Sequence, residues 1–180
     1  MYGFVNIILM QKFWPVPQSY SKKTPKNGEN GAFKINNYYK KLKVWHAGID
    51  IGASTGSKVI ATENGEVIDM SVFTGPPNLP QYRRTWSVTV RTSNSRIIIY
   101  GEIRKPGLKK GSRVKAGQFI GRLAAVEWAK NEPDRNARST LHFELYRKGT
   151  KKFVEWWHKG QKKPKDLLDP TKYLDSCKRR

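Results

Sequence analysis

The chain contains one cysteine, Cys177, so no internal disulfide can form. That excludes a small scaffold built on disulfide staples, and whatever core exists must be held by packing. No apolar run approaches the ~20 residues that a membrane-spanning helix requires. The nearest candidate, MYGFVNIILM at the N-terminus, is too short, and it lacks the basic start and small-residue cleavage site of a signal peptide. Residues 1–12 are therefore expected to form an apolar arm or first strand. Synthesis and action in the cytoplasm follow as the expectation, or carriage out of it as part of a virion or other particle. Acidic residues are scarce too, 14 against 35 Lys and Arg, for a net charge of +21. Such an excess predicts a polyanionic neighbour (nucleic acid, an anionic cell-wall polymer, or the acidic parts of a large assembly), the plainer alternative being a lysine-rich solubilised surface. Internal repeats, low-complexity linkers and the usual nucleic-acid-binding motifs are all missing.

What is present suits one folded domain. The 180 residues are 37% hydrophobic and 12% aromatic, enough to bury a core. We place that domain at residues 13–176, followed by a basic tail at 177–180. Trp14-Pro15-Val16-Pro17 reads as an extended entry segment, since each proline fixes its own φ and restricts its predecessor. SYSKKTPKNGENG then reads as an exposed loop, and residues 32–43 as a short helix. From Trp45 onward the text is strands and turns. Ser57–Ala61 and Gly65–Met70 are expected to form a hairpin across Asn64-Gly65. Residues 74–84, with three prolines, can only be loop. Trp86–Arg91 alternates, turns at Ser93-Asn94 and returns as Arg96–Tyr100. Gly111–Gly121 holds two short strands around a tight turn, and Thr140–Tyr146 forms a last long strand. Strands at this density without a strong amphipathic helix predict a mainly β protein, with a single antiparallel sheet domain, long loops and little helix.

Two stretches carry the chemistry. In Trp45-His46-Ala47-Gly48-Ile49-Asp50 an imidazole and a carboxylate stand four residues apart, a zinc-type pair. On a straight strand four steps would separate their Cα atoms by ~13 Å, too far to share an ion at ~2 Å bonds. The backbone must bend, and Ala47-Gly48 is where it can. In the last strand a period of two sends Leu141, Phe143 and Leu145 to the core and Thr140, His142, Glu144 and Tyr146 to the other face. His142 is thus the natural third ligand. His158, beside Trp156 and Trp157 in a basic stretch, is a weaker candidate. The two tryptophans could stack on sugars or bases, or cap the core edge.

The order HAGIDIGASTGSKVIATENGEVI, IIIYGEI, VKAGQFIGRL and LHFELY resembles the lysostaphin-type zinc peptidases, from about Trp14 to Leu174. The resemblance implies a compact antiparallel β fold with a loop-flanked groove and one zinc ion on His46, Asp50 and His142. It also implies an endopeptidase of peptide cross-links in peptidoglycan. Two departures stand out. Thr140 occupies the position of a family histidine, two residues before the third ligand, and Glu102 the position of another after Tyr100-Gly101; strand parity is expected to face both to the groove. With both imidazoles replaced, Glu102 is the candidate proton acceptor, and Tyr100 or Tyr146 would steady a developing oxyanion. The alternative is a catalytically silent, zinc-stabilised part of a large assembly such as a virion or organellar particle.

Overall fold

A computed structural model describes residues 11–35, 43–77, 82–125 and 138–179. The elements in chain order are β1 (Val44–His46), β2 (Ile49–Ser54), β3 (Lys58–Ile60), β4 (Gly65–Val72), β5 (Trp86–Thr92), β6 (Ile97–Ile103), β7 (Arg113–Val114), β8 (Phe119–Arg122), β9 (Arg138–Tyr146), β10 (Trp156–His158) and β11 (Leu167–Leu168). One helix, α1 (Thr171–Asp175), is five residues long, so the described chain is mainly β, as expected.

The principal sheet runs β11-β9-β6-β5-β4-β7, entirely antiparallel, with β2 pairing the first part of β9 on the edge that β11 continues. The Ile97-Ile98-Ile99 run makes β6 the central strand, buried on both faces. One face of the sheet forms the core. Ile49, Ile51, Leu141, Phe143, Tyr100, Ile98, Val88 and Val90 all lie on it, fully or nearly fully buried. The small β3–β8 sheet, Trp14, Val16 and the α1 residues Tyr173 and Leu174 close this core from behind. The opposite face of the sheet is the one that matters for chemistry.

Several local expectations need correction. The segments on either side of Asn64-Gly65 do not form a hairpin: β3 pairs with β8, and β4 with β5 and β7. Burial explains this, because Thr62 and Glu63 are drawn inside. Thr62 N–H donates to the Tyr100 hydroxyl (3.0 Å), and the Tyr173 hydroxyl donates to Glu63 Oε1 (2.5 Å). Asn64 Oδ1 instead accepts the Ala116 N–H (2.8 Å). Likewise the turn at Lys115–Gln118 joins β7 and β8, which pair with different partners. Of the helix expected at 32–43, residues 32–35 form a turn closed by Gly31 N–H on Ile35 O (3.0 Å), and 36–42 lie outside the described residues. Residues 1–10 of the N-terminal arm also lie outside them. At the other end, Cys177 is buried, Trp14 N–H donates to Lys178 O (2.9 Å) and Lys178 N–H to Lys12 O (2.8 Å). Residues 177 and 178 are therefore stitched to the domain's entry rather than hanging from it. Among the described residues no helix is long and apolar enough to cross a membrane.

The fold makes a direct stability prediction. Leu141 is fully buried at the middle of β9, and truncation removes several methyl groups from a close-packed interior. Leu141→Ala should cost about 2–5 kcal/mol in urea unfolding, against under about 0.5 kcal/mol for Lys109→Ala on the surface.

Candidate metal centre

The bend required between His46 and Asp50 is present. β1 ends at His46, β2 starts at Ile49, and the chain turns at Ala47-Gly48 between them. Asp50 then pairs with His142 across β2–β9, which sets both side chains on the same face. The three proposed ligand atoms converge. His46 Nε2 lies 3.0 Å from His142 Nδ1 and 3.2 Å from Asp50 Oδ1, and His142 Nδ1 lies 3.1 Å from Asp50 Oδ1. A tetrahedral site with ~2.05 Å bonds has ligand-to-ligand edges of ~3.3 Å, so the triangle matches three corners of one.

The other ends of both imidazoles are fixed. His46 donates its Nδ1–H to Ala32 O (3.1 Å), and His142 donates its Nε2–H to Glu144 Oε1 (2.8 Å). Each ring thereby turns its other nitrogen to the common point, the arrangement by which outer hydrogen bonds orient metal-ligating histidines. Glu144 is held in turn, its Oε2 accepting the Tyr146 hydroxyl (2.6 Å), which itself accepts the Val154 N–H (3.0 Å). Three lone-pair atoms this close repel one another unless a cation or a proton sits among them. The donor set of two imidazoles and a carboxylate therefore fits zinc.

Electrostatics agree. Burial pulls the Asp50 carboxyl up, but His46 and His142 outweigh it and hold it below the usual carboxylate range. Burial would likewise lower His142, yet its hydrogen bonds to Asp50 and Glu144 raise it well above the ordinary imidazole value. A metal must displace that proton.

Glu102 and Thr140 meet beside the cluster, Thr140 Oγ1 donating to Glu102 Oε2. Strand parity, expected to face Glu102 to the groove, would instead send it to the core with Tyr100. Between Trp86 and Val88 the β5–β6 register shifts, so Ser87 opposes both Gly101 and Glu102. Glu102 takes φ +61°, and this bulge turns its side chain to the metal face. Burial first, then the Asp50 charge, pushes the Glu102 carboxyl up to about 7, with His142 and Thr140 opposing. Tyr100 is not brought to the site: it faces the core, and its hydroxyl is bound by Thr62. Tyr146 is committed to Glu144 and Val154. Trp157 is buried against Phe33, with ring centroids 5.9 Å apart, whereas Trp156 is exposed on β10 directly across from His46. His158 lies exposed beside Trp156, away from the ligand triangle.

Three features escaped sequence reasoning. Ala32 O and Gly31 O, from a stretch read as exposed loop and helix start, hold His46 and the Asp50 N–H (2.8 Å). Glu155, half-buried and pushed up to about 7 mainly by burial, lines a recess of about 150 Å³ on the sheet face with Glu144, Ser87 and Thr89. Phe73 lies over Gly101 and faces the His142 ring at 5.2 Å. Only the carbonyls' proximity to turn-forming Gly31 had any local signal.

Comparison with known proteins adds the lineage. The model of Peptidase family M23 matches residues 44–153. No curated protein sequence matches the chain. Among solved structures, the catalytic domain of lysostaphin from Staphylococcus simulans is similar at 20% identity and TM-score 0.50, covering 73% of this chain and 80% of that one. The SpoIIQ–SpoIIIAH pore-forming complex includes a chain similar at 15% identity and TM-score 0.56, covering 93% of each. These likenesses carry the fold.

Two outcomes follow from the geometry. A Cβ on Gly48 would stand 2.7 Å from Phe143 O and 2.8 Å from His142 Nε2, so Gly48→Ala should weaken zinc binding at least about tenfold in a chelator competition. Because the hydrogen bonds to Asp50 and Glu144 raise His142 above its ordinary range and a metal must displace the proton, zinc affinity should fall as pH falls. An affinity flat between pH 6 and 8 would contradict that displacement.

Proposed function

The chain belongs to peptidase family M23, and from that premise we propose that it is a metal-dependent endopeptidase of peptidoglycan-type peptide cross-links in which a carboxylate replaces the family's imidazoles. The observation that carries this reading is the ligand triangle of His46, Asp50 and His142 with Glu102 beside it. When bound, zinc supplies Lewis acidity towards the scissile carbonyl and acidifies water. The chain's own residues do the rest. His46 and His142 offer their inward nitrogens because Ala32 O and Glu144 occupy the outward ones. Thr140 holds one oxygen of Glu102 and so orients the carboxylate. Glu102 accepts the water proton and passes it to the leaving amine, and its elevated pKa near 7 suits it to both transfers at neutral pH. Trp156, exposed across from His46, provides an apolar wall on which substrate packs.

A second reading is favoured by Thr140 and Glu102 standing where the family resemblance implies histidines, and by the net charge of +21. In it the domain is a zinc-stabilised, catalytically silent component of a larger particle such as a virion, made in the cytoplasm and held by a polyanionic partner. The fold does not choose, because one architecture hosts both enzymes and assembly parts.

Hydrolysis of cross-linked peptidoglycan and of oligoglycine by the zinc-loaded chain separates the two. Turnover should rise with pH as Glu102 loses its proton, with an inflection at or below about 7, since bound cation charge lowers a neighbouring carboxyl. Glu102→Gln should cut kcat by about 10²–10⁴ while zinc content stays unchanged. No turnover by the parent protein, with salt-sensitive co-purification in a particle, would establish the second reading instead.

A further inference from the structure

Behind the loop that holds His46 lies a cleft of about 800 Å³, lined by Lys26, Lys34, Lys163 and Lys172 around Phe33. None of these four ammonium groups is in an ion pair with a carboxylate among the described residues. Two carboxylates in the cleft wall offset part of that charge, and Asp175 also faces Arg179 at 3.8 Å. Asp169 Oδ1 accepts the Thr171 N–H and hydroxyl (2.9 and 2.6 Å), and Asp175 Oδ1 accepts the Thr24 hydroxyl (2.9 Å). Lys163 is tethered by carbonyls, Leu167 O and Pro164 O, which fix its ammonium without neutralising it. Four lysines against two carboxylates, Asp169 and Asp175, leave this concave surface with an excess of positive charge among the described residues, which favours an external anion.

The cleft is not isolated from the metal centre. A second cleft of about 590 Å³ shares Thr24, Pro25, Lys26 and Asp175 with it and reaches Asp50 and Gly52. A trough thus runs from the ligand triangle to the lysines. The lining cations are all lysine, compact point charges of the kind that bind phosphate oxygens. The one aromatic ring in the lining, Phe33, is 8% exposed and packed on Trp157, so the cleft offers no platform for stacking bases.

We propose that this lysine cleft is a docking subsite for the phosphodiester groups of an anionic wall glycopolymer carried by the substrate, placing the attached peptide along the trough towards His46, Asp50 and His142. The choice of a wall polymer rests on the peptidase reading, while the phosphodiester chemistry rests on the cleft alone.

The test is co-sedimentation of the full-length protein, in chelator so that nothing is cleaved, with insoluble walls that retain or have been stripped of their phosphodiester polymer. The parent should bind the retaining walls about tenfold more tightly. Lys26→Glu with Lys172→Glu, both exposed positions, should remove that preference and reduce the slope of log K against log salt by about 2. Lys34→Gln with Lys163→Gln should weaken it in the same direction without reversing charge. The control pair Lys109→Glu with Lys110→Glu should leave binding within about twofold. Equal binding to stripped walls, an equal loss in the control pair, or equally tight binding of a single-stranded DNA oligomer would each overturn the proposal. Wall binding that persists in a protein without peptidase turnover would refute the enzyme reading and leave the subsite standing.

Discussion

Everything at the candidate centre depends on forcing three electron-rich atoms, two imidazole nitrogens and a carboxylate oxygen, to within 3.0–3.2 Å of one another. With neither proton nor cation among them these side chains would separate, since lone pairs repel and each group would regain its own water. They stay together because their far ends are tied down. Ala32 O holds His46, and Glu144 holds His142 with support from Tyr146 and Val154. Gly48 leaves the space into which His142 fits. The convergence is a property of the loop at 29–35, strands β2 and β9 and the 153–155 segment acting jointly. A cation is what turns that repulsion into attraction.

The same centre bears a cost in backbone geometry. Glu102 is a non-glycine residue at φ +61° in the middle of a sheet, a conformation worth roughly 1–2 kcal/mol of strain. The bulge that imposes it brings a carboxylate to the metal face, where straight pleating would have buried it beside Tyr100. Strain held at a site that gains a proton-handling group is consistent with the bulge serving chemistry rather than packing. The charge distribution points the same way. In a protein of net charge +21, five of the 14 acidic residues, Asp50, Asp69, Glu102, Glu144 and Glu155, gather on the ligand cluster or the recess beside it. Lysines line the trough that leaves it. An acidic interior next to a basic approach suits a substrate whose reacting part is held by metal and whose distant part is anionic.

Much of this was readable along the chain. Alternation in Thr140–Tyr146 put Leu141, Phe143 and Leu145 in the core and His142 opposite, because a strand's period of two admits little else. The spacing of His46 and Asp50 demanded a bend, and Gly48 marked it. The parts that were misread were those decided between strands. Asn64-Gly65 has the local chemistry of a hairpin, but the burial of Thr62 and Glu63 against Tyr100 and Tyr173 redirected the strands on either side. Tyr146, expected to face a groove, is buried under the 153–155 segment, since the sheet's second face is itself partly covered.

Sequence alone determined the mainly β class, the core face of β9, and which few residues could ligate a metal, because periodicity and residue chemistry are local properties. Only the tertiary structure decided how those residues are used. Outer hydrogen-bond partners such as Ala32 O are backbone atoms with no side-chain signature. A bulge at Glu102 depends on the register of a neighbouring strand. The lysine cleft is assembled from segments near residues 26, 34, 163 and 172 that have no pattern in common until the chain folds. Contacts of that kind are set by long-range packing, and packing is not written at any single position.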